Sequence, residues 1–209
     1  LDDVMVVWGQ NGEALRPEQG YPVRLVVPGW EGNLNTKWLN RLEFSDKPWH
    51  AKEETSKYTM LQKSGKAIRF FWVNEVNSVI TKPCPEKPWT HLKKGDMVEI
   101  EGLAWSGHGT IKGVDISFDG GDNWVEAKLK GLVLPKSWTR FSYIYKWDGK
   151  PLFLSSRAHD DFGNIQPTID EETQAVGVES VYHRNAIVTW EITAKGECNN
   201  VHIRKHNKA

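Results

Sequence analysis

The chain has 209 residues, 27 basic and 27 acidic side chains, and 39% hydrophobic residues. That length supports one domain, or one complete domain with part of another. Balanced charge gives no strong field for nucleic acid or an anionic membrane, and no apolar run is long enough to cross a bilayer. Eleven Trp and ten Pro, with few long periodic apolar segments, point to an aromatic-rich, loop-rich β protein. The chain starts at Leu1, with no initiator Met and no signal peptide, so a C-terminal fragment or one piece of a cleaved protein is expected.

In chain order, Asp2 and Asp3 precede Val4-Met5-Val6-Val7-Trp8. Leading acidic residues suit a helix N-terminus, while the valines suit a strand. Asn11-Gly12 signals a turn. Val23 to Val27 reads as a short buried strand between Pro22 and Pro28, neither of which can donate a backbone hydrogen bond. Arg24 sits inside that run and must find an anion or a carboxylate, because an unpaired buried guanidinium is costly. A Gly- and Asn-rich loop follows, able to turn N–H groups toward an anion, and leads to Lys37, Trp38 and Leu39. Two readings stand for these residues: a phosphate or pyrophosphate cradle, or a salt-bridged Arg beside an ordinary turn. Arg41 to Phe44 alternates as a half-buried strand would. Ser45 to Ile68 is a long polar excursion over the surface, of the kind often found at functional sites or interfaces.

A domain boundary is placed between 72 and 73. The first part is too small to bury a good core and should need a further segment to fold. Beyond it, Ser78 to Thr81, Asp96 to Trp105, Ile111 to Phe118, Trp124 to Ala127, Trp138 to Trp147, Leu152 to Ala158 and Ala186 to Thr193 read as strands. Gly107-His108-Gly109, Asp119-Gly120-Gly121 and Gly163 to Pro167 read as the turns and loops between them. About seven short strands with turn signals indicate an immunoglobulin-like β-sandwich. The tail from Gly196 is polar and basic and is expected to fray. Cys84 and Cys198 can pair in an oxidising compartment or stay free, and neither lies in a zinc-type cluster.

Several stretches together resemble the sulfite oxidase family of molybdenum oxidoreductases. Gly20-Tyr21-Pro22-Val23-Arg24-Leu25-Val26-Val27-Pro28-Gly29, then Lys37-Trp38-Leu39, is similar to the end of its molybdopterin-binding domain. Gly102 to Gly107, Val114 to Gly121, Trp124 and Arg157-Ala158 through Gly163-Asn164-Ile165-Gln166-Pro167 resemble its dimerisation domain. Within the family, the likeness is greatest to the SoxC type, the molybdenum subunit of sulfane dehydrogenase. The resemblance implies a mainly β fold: residues 73–209 as an Ig-like dimerisation domain, preceded in 1–72 by the C-terminal piece of an α+β molybdopterin-binding domain. It also favours a short helix for the run after Asp3.

The resemblance implies a molybdenum-molybdopterin cofactor, with Gln19, Arg24, Asn35, Thr36 and Lys37 binding it. Gln19 stands where much of the family has His, and Gln can hydrogen-bond but carries no charge. Arg184, in Val181-Tyr182-His183-Arg184-Asn185, is implied to bind a substrate oxyanion, with His183 as an orienting neighbour. Tyr182 either lines that pocket or packs. His108 is read as a turn residue, and His159-Asp160-Asp161 as a structural loop. The family's molybdenum-ligating thiolate lies upstream of the matched stretch, and neither Cys84 nor Cys198 falls in that motif, so no metal ligand is expected in this chain. The implied activity is oxidation of carrier-bound sulfane sulfur with electrons passing to cytochrome c. The alternatives are a sulfite dehydrogenase or oxidase of the same family, and a non-catalytic dimerisation module. Implied partners are the N-terminal half of the same protein, a c-type cytochrome subunit, a sulfur-carrier protein and a second copy. No nucleic acid or membrane partner is expected. The implied compartment is the periplasm.

Overall fold

The structure is a computed structural model that describes residues 2–47, 49, 51–61, 64–68, 72–178 and 184–203. The chain divides into two compact units, Leu1–Asn74 and Glu75–Ala209. Among the described residues, no helix is long and apolar enough to cross a membrane.

In the first unit, β1 (Met5–Val7) is a strand and not the short helix that the resemblance favoured. Its β-branched residues send their backbone bonds to a neighbouring strand, with Met5 opposite Val26 and Val7 opposite Arg24. A hairpin of β2 (Gly9–Gln10) and β3 (Glu13–Ala14) follows. Its turn is Asn11 and Gly12 at φ 54° and 82°, the left-handed pair that a tight hairpin requires. A 3₁₀ turn at Pro17–Gln19 leads through Gly20 to β4 (Arg24–Val26), which is half-buried where a fully buried strand was expected. A second 3₁₀ turn spans Gly32–Leu34. Residues 41–44 form no strand: Phe44 is 92% exposed, and the alternation finds no partner to pair with among the described residues. The excursion beyond carries α1 (Lys52–Lys57) and a short hairpin of β5 (Met60–Leu61) with β6 (Ala67–Ile68). Only Leu15 and Val27 are buried hydrophobics among the described residues of this unit.

The second unit is a sandwich. Its strands are β7 (Asn77–Lys82), β8 (Met97–Trp105), β9 (Ile111–Ser117), β10 (Val125–Glu126), β11 (Lys128–Lys130), β12 (Thr139–Lys146), β13 (Leu152–Asp160), β14 (Thr189–Ile192) and β15 (Cys198–Val201). One sheet has the order β11-β12-β8-β7 and the other β10-β9-β13-β14-β15. Strand residues alternate, and the inward set, with Ile100, Val114, Ile116, Phe141, Leu154 and Ile192, forms one continuous core. A polar tie crosses between the sheets. Ser78 Oγ on β7 lies 2.9 Å from Ser156 Oγ on β13 and donates to Gln166 Oε1 at 2.6 Å.

Two elements in this unit differ from expectation. The segment after Gly196 is not frayed at once: β15 pairs with β14, Cys198 opposite Ile192 and Val201 opposite Thr189. Between β13 and β14 lies α2 (Ile169–Val176), started by Thr168, whose hydroxyl caps Glu171 N–H while the Glu171 carboxylate caps Thr168 N–H.

Candidate functional site

The 3₁₀ turn Pro17–Gln19 closes with Gly20 N–H on Pro17 O at 3.1 Å, and its carbonyls also point to side chains outside the turn. Three side chains meet them in order. Trp38 Nε1–H donates to Pro17 O at 3.1 Å, Lys37 Nζ to Glu18 O at 2.6 Å, and Arg24 Nη1 to Gln19 O at 3.0 Å. Arg24 Nη2 donates to Asn35 O at 3.2 Å. Arg24 therefore binds carbonyl dipoles on both arms and is not the salt-bridged arginine of the simpler reading. Among the described residues, neither Arg24 nor Lys37 forms an ion pair with a carboxylate. Carbonyls orient the two cations without cancelling their charge, so the turn presents positive charge to an anion. Arg24 Nε is buried and lacks a hydrogen-bond partner, a further donor suited to one.

The loop after β4 is held by Asn35. Its Oδ1 accepts Val27 N–H at 2.8 Å, and its Nδ2 donates to Glu31 O at 2.9 Å and Trp30 O at 3.4 Å. Its side-chain amide is thus spent on the loop, while its carbonyl orients Arg24. Burial pushes the Glu31 carboxyl above its usual range. Gln19 Oε1 accepts Arg16 N–H at 2.9 Å, which leaves the NH₂ end of that amide to donate outward contacts. Thr36 is exposed, and its carbonyl accepts Leu25 N–H at 2.9 Å. Trp38, read from the sequence as one of an apolar pair and as part of the Lys37-Trp38-Leu39 likeness, was given no role at the site. Its neighbours in sequence mark it, but its backbone angle and its bond to Pro17 depend on chain folding.

Arg184 lies in the second unit. Its Nη1 donates to Glu172 Oε2 at 2.9 Å and its Nη2 to Val178 O at 3.0 Å. Glu172, on α2 and 6% exposed, also accepts Asn185 N–H at 2.8 Å and Ala186 N–H at 3.1 Å through Oε1. The guanidinium thus neutralises a buried carboxylate and ties α2 to the start of the last strands. Tyr182 and His183 lie outside the described residues. His108 sits in its turn, 3.2 Å from Glu75 Oε2.

Both thiols are free. Burial, then the nearby Cys84 and Glu86, pushes the Cys198 thiol up to about 12, so it holds its proton at neutral pH. No cluster of three or more His, Cys, Asp or Glu able to hold a metal occurs among the described residues. A cavity of about 690 Å³ lies elsewhere, lined by Trp124, Arg157, Pro167, Glu171 and Ile187. There the Arg157 guanidinium stacks 4.3 Å over Trp124 and donates to Asp115 Oδ2 at 3.0 Å, so its charge is paired, although its Nε, like that of Arg24, is buried without a partner.

Two family models match the chain. Residues 1–53 match the oxidoreductase molybdopterin binding domain, and residues 69–190 match the Mo-co oxidoreductase dimerisation domain. A nitrate reductase [NADH] of Ulva prolifera is 26% identical over 99% of this chain and 24% of its own length. That of Spinacia oleracea is 35% identical over 79% of this chain and 20% of its own. The crystal structure of the sulfane dehydrogenase SoxCD from Paracoccus pantotrophus matches with a TM-score of 0.92 and 50% identity, covering 97% of this chain and 52% of that one. The chain therefore spans about half of that structure's chain and a quarter or less of the two nitrate reductases.

Proposed function

We propose, starting from the fact that this chain belongs to the sulfite oxidase family of molybdenum oxidoreductases and is SoxC-like, that it is the C-terminal portion of a sulfane dehydrogenase. The observation that carries the cofactor side of this reading is the pair Arg24 and Lys37, oriented by carbonyls and left uncompensated. A molybdopterin phosphate suits that donor set: a planar guanidinium fork, a compact ammonium and a buried Nε–H in need of an acceptor. Thr36 and the Gln19 amide complete the polar wall, and Asn35 holds the loop that shapes it. With the phosphate held there, the cofactor would supply the two-electron oxidation of reduced sulfur. The residues of this chain bind and orient; the soft thiolate ligand would come from the N-terminal half of the same protein, since neither Cys84 nor Cys198 falls in the family's ligand motif.

On the substrate side, we assign Arg184 and His183 to the sulfur-oxyanion pocket on the family likeness; Arg184, its charge already paired with Glu172, would offer an oxyanion its remaining N–H donors and not a free positive charge. The substrate is sulfane sulfur on a carrier-protein cysteine, and a c-type cytochrome subunit takes the electrons in the periplasm. The sandwich domain pairs two copies, as the description of its family states for such domains. The likeness to the sulfane dehydrogenase SoxCD supports this substrate class.

The test uses the full-length holoenzyme. Arg24→Met and Lys37→Met each remove one charge-assisted contact, worth roughly 1.5–3 kcal/mol, so pterin dissociation should accelerate about 10–100-fold. Dissociation at the wild-type rate in both variants would overturn the cofactor reading. Faster turnover of free sulfite than of carrier-bound sulfane would replace the SoxC-type substrate with sulfite.

A further inference from the structure

Beside β4 the chain pairs irregularly. Leu25 N–H donates to Thr36 O at 2.9 Å, and Leu39 N–H donates to Val23 O at 2.8 Å. Thr36–Leu39, which is not a strand, thus carries one residue more than Val23–Leu25, a bulge-like offset. The surplus is taken up at Trp38, whose φ is 52°. A bulky side chain in the left-handed region is an outlier that its surroundings must hold in place.

The contacts that hold it are on the 3₁₀ turn. Trp38 Nε1–H bonds Pro17 O at 3.1 Å, and its backbone N–H reaches Gly20 O at 3.4 Å. In a regular strand, Lys37 and Trp38 would point to opposite faces. Here both reach the same turn, Lys37 bonding Glu18 O at 2.6 Å with its ammonium 6.0 Å from the Trp38 ring centroid. Gly20 makes room for this approach: a Cβ there would lie 2.9 Å from Lys37 Cβ.

We propose that Trp38 is a positioning residue of the cofactor site: its indole, latched on Pro17 O, holds the offset that aims Lys37 at the turn bound by Arg24. This role rests on Arg24 and Lys37 being cofactor ligands. Trp38 itself donates to the protein and acts through Lys37.

A double-mutant cycle on pterin release from the full-length holoenzyme tests it. Trp38→Phe keeps an aromatic ring and deletes the N–H. It should speed release about tenfold, the expected loss of one net hydrogen bond with the aim of a cation. Added to Lys37→Met, the same change should alter release less than twofold, because the residue through which it acts is gone. Trp38→Gly, which adopts φ 52° without strain, should behave like Trp38→Phe and serves if the phenylalanine is not accommodated. Release at the wild-type rate in both Trp38 variants, or an effect that multiplies fully with Lys37→Met, would overturn the positioning role. Unchanged release in Arg24→Met and Lys37→Met would instead remove the cofactor reading on which it rests.

Discussion

At the scale of single residues, Asp160 shows how a charge can be structural. Its carboxylate accepts Ser106 Oγ–H at 2.7 Å and Asn164 Nδ2–H at 2.9 Å on one oxygen, and Phe162 N–H at 3.0 Å and Asn164 N–H at 2.9 Å on the other. Burial raises its pKa, but the hydrogen bonds from Asn164, Ser106 and Phe162 outweigh burial and hold it below the ordinary 3.8. The unfolded chain then takes up this proton first as the pH falls. Asp160 contributes its full stabilisation above about pH 5 and loses it as the pH drops through the folded value. Asp160→Asn should lower stability at pH 7 by about 1–3 kcal/mol, because a neutral amide cannot accept all four donors. Urea unfolding at pH 7 and pH 3 checks this: the gap between variant and wild type should narrow at pH 3. The His159-Asp160-Asp161 run, expected as a structural loop, instead ends strand β13 at Asp160, whose carboxylate holds the turn that follows. Arg24 was legible as a charge embedded among apolar neighbours, but its carbonyl partners were not, because they belong to a turn separated from it by the Tyr21-Pro22 corner.

At the scale of elements, most sandwich strands could be read from alternation, since one face of each meets the core and the other meets water. Gly102 shows why one motif residue in β8 lacks a side chain. A Cβ there would stand 2.1 Å from Phe141 Cζ and 2.6 Å from Val79 O. Gly102→Ala should destabilise the domain by about 1–3 kcal/mol through overpacking, read as a lower urea midpoint with an unchanged slope. The errors follow a pattern. Residues 41–44 alternate but have no partner among the described residues, whereas Cys198–Val201 looked too polar yet found β14. Strand identity there depends on a neighbour that local composition does not specify. The start of α2 did carry a signal, Thr168 followed three residues later by Glu171, which was overlooked.

At the scale of the whole chain, the two units differ in burial. The continuous hydrophobic cluster lies within Glu75–Ala209, whereas Leu15 and Val27 alone are buried hydrophobics among the described residues before it. A unit with so little buried apolar surface opens readily. Limited proteolysis of this chain should therefore cut first before residue 75 and leave a resistant sandwich fragment. Mass spectrometry of the early products would check this. A first unit that outlasted the sandwich would contradict it.

The sequence by itself determined the sandwich, its hairpins and the family, because alternation, Asn-Gly and Asp-Gly-Gly turns and ordered motifs are local properties of the chain. It also marked Arg24 and Lys37, since a cation among apolar neighbours and one after a Gly/Asn loop are visible without coordinates. Tertiary structure alone decided what those cations touch. The carbonyls of Pro17, Glu18 and Gln19, the offset at Trp38 and the pairing of Arg184 with Glu172 arise where separate segments meet. Hydrogen bonds between such segments depend on position and angle within a few tenths of an ångström, and residue types along one chain do not encode that geometry singly.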